Sequence, residues 1–149
     1  MVNGCTSAAN ENKVFNKNDA ISGKTTVLLK NDVSRDKKYI WMKIGLVWKT
    51  EGSKTDAKNI KEAEYKINKH LEFILKGEAW SAIARYNSKD FLINRKNIEN
   101  EIKISVTEKA SKSIPLKIAG IQIERVDILE FASLDNPHKG EEFPTPSKD

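Results

Sequence analysis

"YIWMKIGLVWKT", Tyr39 to Thr50, decides how the rest of the chain is read. Ile40, Met42, Ile44 and Leu46 fall on one parity; Tyr39, Trp41, Lys43, Gly45 and Val47 fall on the other. A period of two, rich in aromatic and β-branched residues, is that of a strand with one face against a core. Upstream, Ile21 to Leu29 is a second apolar and β-branched run. The turn-rich, charged "KNDVSRDKK", Lys30 to Lys38, separates the two. An antiparallel pair is therefore expected.

The same strand reading counts against a nucleotide-dependent enzyme, which is the third and least favoured reading of the chain. Ser22-Gly23-Lys24-Thr25 looks like the end of a phosphate-binding loop. Such a loop needs a glycine at its first position, a buried strand before it and a helix after it. Here the first position is Asn18, the polar "ANENKVFNKND" precedes, and the strand-like Thr25-Thr26-Val27-Leu28-Leu29 follows. Lys24 is read as a solvated lysine at a strand entrance.

Downstream the period changes. "TEGSKTDAKN", Thr50 to Asn59, ends the strand and offers Thr55 or Asp56 as a helix N-cap. Ile60, Ala63, Ile67, His70, Leu71, Ile74 and Leu75 then recur at three- and four-residue steps, one face of a helix, with His70 partly buried. Gly77 weakens the middle without ending it, and the stripe resumes at Trp80, Ile83 and Ala84. "RYNSKDFLINRKNIENEIKISVTEKASK" reads as two further helices or one bent one. Asn87 or Ser88 would cap a short helix holding Phe91 and Leu92; Ile98, Ile102, Ser105, Val106 and Lys109 keep helical spacing.

The last element, "IPLKIAGIQIERVDILEF", returns to period two, and its parity changes twice. One extra residue flips every later side chain, so a turn or kink at Gly120 and a bulge near Glu124-Arg125 are expected. Strands, then helices, then a long strand make an α+β domain: an antiparallel-rich sheet with helices packed on one face. Residues 1–19 read as a polar, flexible N-terminal arm, 20–134 as the domain and 135–149 as a polar tail containing proline.

At 149 residues the chain is long enough for one domain with a real core. Its mean hydropathy of −0.58 is that of a soluble, lysine-rich composition. The net charge of +5 can favour acidic surfaces, phospholipid headgroups among them. The lysines are scattered among Glu and Asp without interleaved aromatics, so nucleic acid is not an expected partner. The single cysteine, Cys5, excludes an internal disulfide and a cysteine-based metal centre. His70 and His138 lie far apart, and no residues have metal-ligand spacing. No metal and no cofactor are expected. No apolar run is long enough to span a bilayer. "VNGC", Val2 to Cys5, has the form of the end of a bacterial lipoprotein signal, which would make Cys5 a lipidation site and residues 6–19 a tether; a chance match is the other reading.

Three blocks together resemble the SPFH or band 7 family, which includes stomatin, prohibitin, flotillin and the bacterial regulators of the membrane AAA protease. The strand "YIWMKIGLVWKT", preceded by "VLLKND", is the first. The second is "YKINKHLEFILKGEAWSAIARYNSKDFLINRKNIENEI", in which Tyr86, Ser88, Phe91, Leu92, Arg95, Ile98 and Ile102 fall on the family's pattern. The third is "GIQIERVDILEF", with Gly120, Ile121, Ile123, Val126 and Ile128 in place. The resemblance implies a non-catalytic scaffold at a membrane surface, one that modulates a membrane protease or organises a microdomain. It implies self-association or association with related SPFH proteins, and a membrane AAA protease as a candidate partner. A bacterial or phage-encoded protein fits, on the periplasmic face if Cys5 is lipidated. The family's usual membrane segment and Ala- and Glu-rich coiled coil have no counterpart in this sequence, which favours the alternative of a soluble or lipoprotein module that keeps only the fold and binds another protein.

The residues agree with a non-enzyme: no Ser-His-Asp set, no Cys-His pair and no glycine-rich cradle is legible. The acidic residues fall on solvent faces of the predicted helices, interleaved with lysine. Arg95 is the residue singled out, either as a surface ion pair with Glu99 or as a subunit or intradomain contact. Trp41, Trp48 and Trp80 are read as core or strand-edge packing, with an interfacial membrane anchor as the other reading of an exposed tryptophan.

Overall fold

A computed structural model describes residues 21–50 and 60–135. The expected arm, the Thr55 or Asp56 cap and the C-terminal tail fall outside the described residues. Three strands, β1 (Ser22–Val33), β2 (Tyr39–Thr50) and β3 (Ile121–Leu134), form one antiparallel sheet in the order β1-β2-β3. Between β2 and β3 come α1 (Ile60–Arg85), the single turn α2 (Asp90–Ile93), α3 (Arg95–Lys112) and the short α4 (Ile114–Ala119).

The even-numbered residues of β2 face the core, as its alternation requires. Ile40, Met42, Ile44, Leu46 and Trp48 are all buried, under α1 on the β1 side and α3 on the β3 side. α1 runs unbroken through Gly77, where an added Cβ would meet nothing. Gly77→Ala is therefore expected to stabilise the domain by about 0.5–1 kcal/mol through helix propensity alone. A thermal melt checks this; a lower Tm in the variant would mean that the glycine has a packing role.

Gly23 has a structural purpose. Val27, Leu29 and Thr25 point inward with it from β1, and it sits opposite Trp48 in the register. A Cβ at Gly23 would lie 2.5 Å from Cζ2 of the Trp48 ring. The glycine makes room for the indole, whose Nε1–H donates to Asn68 Oδ1 at 2.9 Å. The Thr25 hydroxyl donates to the same oxygen at 2.5 Å. The residues that looked like a phosphate loop form instead a strand shaped around a tryptophan.

Several expectations are corrected. Ile114–Ala119 is helical rather than the start of the long strand. Pro115 suits a helix's first turn, Leu116 and Ala119 share its buried side, and Gly120 ends it in the left-handed conformation at φ 70°. The six-residue run satisfied a period of two only by coincidence. The bulge near Glu124-Arg125 is there, since Val47 pairs with Arg125 and Trp48 with Ile123, leaving Glu124 over. A second one follows at Leu129, between the pairs Lys43–Glu130 and Ile44–Ile128. Neither Asn87 nor Ser88 caps α2 with its side chain: the Ser88 hydroxyl goes elsewhere, and the Asp90 carboxylate instead accepts the Asn87 amide at 3.0 Å. His70, Ala84 and Trp80 lie on the solvent side of α1, not in its core stripe; Ala79 and Ala82 take the buried places beside Ile83.

Candidate functional site

Arg95, the residue singled out from the sequence, lies at the start of α3 against the β3 bulge. Its Nε donates to Glu99 Oε2 at 3.1 Å, one helical turn on. The same Glu99 oxygen accepts the Ile128 amide at 2.7 Å, and an Arg95 Nη–H donates to the Ile128 carbonyl at 2.5 Å. Both main-chain groups of one β3 residue are thus held by side chains of α3 rather than by another strand. Glu99 is only 5% exposed, against the expectation that the acids lie on solvent faces. Burial is tolerated because Oε2 of the carboxylate accepts two charge-assisted hydrogen bonds, one of them from a guanidinium. The Arg95 side chain remains 52% exposed, so its outer edge meets solvent. Phe91 completes the joint, fully buried, stacking on Phe131 of β3 at 5.3 Å and meeting Tyr86 edge-on at 6.1 Å.

A second clasp ties the β1–β2 turn to the loop after α1. Asp36 Oδ1 accepts the Ser34 hydroxyl at 2.5 Å and the Ser88 amide at 2.9 Å; its Oδ2 accepts the Ser88 hydroxyl at 2.9 Å. The Arg35 amide donates to the Tyr86 carbonyl at 2.9 Å. Desolvation pushes the Asp36 carboxyl up, and the hydrogen bonds from Ser34 and Ser88 outweigh it, holding the pKa at about 2 against an ordinary 3.8. A depressed carboxyl stabilises the fold above its unfolded pKa and loses that contribution as pH falls through the folded one. Urea midpoints of the wild type should therefore fall between about pH 4 and pH 2, and the fall should be shallower in Asp36→Asn. Identical acid profiles would remove Asp36 as the cause.

The odd-numbered residues of β2 lie on the face of the sheet away from the helices. Trp41 and Tyr39 are half-buried there, and Leu129 and Leu28 are exposed beside them. Ion pairs rim this apolar strip: Lys43 with Glu130 at 3.9 Å, Lys49 with Glu124 at 3.4 Å and Arg125 with Asp127 at 2.8 Å. Of the three tryptophans, then, Trp48 is core, Trp41 packs on the outer face and Trp80 is exposed. Among the described residues no His, Cys, Asp and Glu side chains group as a metal site, and no helix is long and apolar enough to cross a membrane. Cys5 lies outside the described residues.

The fold, with its sheet, one-sided helices and bulged last strand, bears on what the chain is similar to. Residues 11–131 match the model of the SPFH domain / Band 7 family. The chain belongs to the SPFH/Band 7 family. No curated protein sequence matches it. The α+β architecture is that of an SPFH domain, and the family is associated with membrane scaffolding. Within this SPFH domain, the blocks that carried the resemblance have physical tasks. Ser88 receives Asp36, Phe91 seats Phe131, Arg95 grips Ile128, and Ile98 and Ile102 fill the core.

Proposed function

We propose that this SPFH domain is a non-catalytic scaffold held at a membrane surface, where it self-associates or joins related SPFH proteins. There it restrains or organises a partner, a membrane AAA protease or the components of a microdomain. The family match over residues 11–131 is the observation that carries this reading. The net charge of +5 supports it, because anionic headgroups attract basic surfaces. Lipidation of Cys5 supplies the attachment in this proposal and places the domain on the periplasmic face of a bacterial membrane. The exposed edge of Arg95 is a subunit contact in the same proposal, with the intradomain grip on Ile128 fixing its direction.

The test is a crosslinking pulldown from native membranes, with retained proteins identified by mass spectrometry. Co-recovery of a membrane protease or another SPFH protein is the expected result. Full dispersal as a soluble monomer in the native host would overturn the scaffold reading. Cys5→Ala should release the protein from the membrane fraction; unchanged fractionation removes the lipid anchor alone.

A further inference from the structure

The two edges of the sheet are treated differently. At the β3 edge, the main-chain groups of Ile128 are taken by Glu99 and Arg95. At the β1 edge, no strand pairs with β1 on its far side among the described residues. The Thr50 amide donates to the Ile21 carbonyl at 2.8 Å, which makes Ile21 and Thr50 a bonded pair. Bonded and non-bonded positions alternate in an antiparallel ladder, so Lys24, Thr26 and Leu28 direct their N–H and C=O groups to the open side.

That open side borders a groove. About 410 Å³ lies between Thr26–Leu28 of β1 and Lys69, Glu72 and Phe73 of α1. An adjoining space of about 570 Å³ continues past Leu29 and Asp32, along Gly77 and Trp80. Phe73 and Lys76 line both. Phe73 is 83% exposed and Trp80 62% exposed, on a helix whose other side supplies the core. Residues 26 to 32 of a strand span about 20 Å, and residues 69 to 80 of a helix about 17 Å. The trough matches roughly six residues of extended chain.

We propose that this groove binds an extended, acidic peptide segment of a partner protein, which adds to the sheet as a fourth strand beside β1. Main-chain hydrogen bonds to Lys24, Thr26 and Leu28 give the affinity, and alternate apolar side chains enter the trough against Phe73 and Trp80. Charge selects the sign of the peptide. Within the groove the charges balance, Lys69 with Glu72 at 3.7 Å, Lys109 with Glu78 at 2.8 Å and Lys76 beside Asp32. The surplus positive charge along this edge is therefore that of Lys24 and Lys30 on β1, which have no acidic partner among the described residues. In one register the same lysines disfavour a second copy of this chain: antiparallel pairing of two β1 strands centred on Val27 sets Lys24 of one opposite Lys30 of the other. The inference stands on the groove alone and does not depend on where the domain is held.

The test is selection from a phage-displayed library of random twelve-residue peptides against the full chain, followed by fluorescence anisotropy with the enriched peptides. Two variants report on the site. Thr26→Pro removes an outward amide at an edge that tolerates proline, and Phe73→Ala removes a side chain outside the core. Circular dichroism confirms that both are folded. Enriched peptides should combine acidic residues with alternate apolar ones, and each variant should weaken them at least tenfold. Absence of enrichment, or affinity retained in both variants, overturns the proposal. So does either variant abolishing self-association in sedimentation, which would assign the edge to a second copy, or abolishing binding to vesicles containing phosphatidylserine, which would assign it to lipid.

Discussion

Trp48→Ala is expected to destabilise the domain by about 3–5 kcal/mol, the range for deleting a large buried aromatic. Domains of this size have only about 5–15 kcal/mol in total, so the variant should lie near the edge of folding at 37 °C. Two effects add. The indole is fully buried against β1 and β3, so its removal leaves a cavity. Its Nε1–H also supplies one of the two donors to Asn68 Oδ1. The partner experiment is Gly23→Ala, whose Cβ would meet the ring at 2.5 and 2.8 Å, too close for a flat ring locked in a core. Overpacking of this kind costs about 1–3 kcal/mol. In the Trp48→Ala background the same substitution should be close to neutral, because the obstacle is gone. Urea unfolding of the four proteins measures the coupling. Additive effects would show that the Gly23 requirement comes from something other than the indole.

Glu99→Ala is expected to cost about 2–4 kcal/mol, and more than Arg95→Ala. The asymmetry follows from burial. Losing Glu99 strands the buried Ile128 amide, at about 1–3 kcal/mol, and deprives Arg95 of its counter-charge. Losing Arg95 also has a cost, because the buried Glu99 carboxylate loses its counter-charge. That carboxylate still accepts the Ile128 amide, however, and the half-exposed place of Arg95 admits water to the carboxylate and the carbonyl. Glu99→Gln keeps an acceptor for Ile128 and should recover most of the loss. Chemical denaturation at neutral pH decides the matter. Equal, small effects for Arg95→Ala and Glu99→Ala would reduce the cluster to an ordinary surface ion pair.

The second bulge was open to a reader of the sequence. Val126 and Ile128 set a parity that Glu130 breaks and Phe131 restores one residue late. The helical identity of Ile114–Ala119 was harder, because six residues with apolar positions at several spacings fit either period; Pro115 near its start and Gly120 at its end are the signals that favour a helix. The exposure of Trp80 was not legible. The helical stripe admits residues 79, 80, 82, 83 and 84 about equally, and only the angle at which α1 meets β1 and α3 selects Ala79, Ala82 and Ile83.

The sequence by itself determined the main elements and their order: a period of two in Tyr39–Thr50, a period near 3.6 from Ala63 through Ile102, a return to two after Gly120, and from these the α+β class. Those are properties of neighbours along the chain, and local sterics and patterning decide them. What the tertiary structure decided is which polar groups meet. Glu99 became a buried clamp because the Leu129 bulge presents Ile128 to α3. Asp36 found Ser88 across 52 residues. Among the described residues no strand covers the β1 edge, while at the β3 edge Arg95 and Glu99 take the main-chain groups of Ile128. Such pairings depend on distances between elements remote in sequence, which no periodicity along the chain encodes.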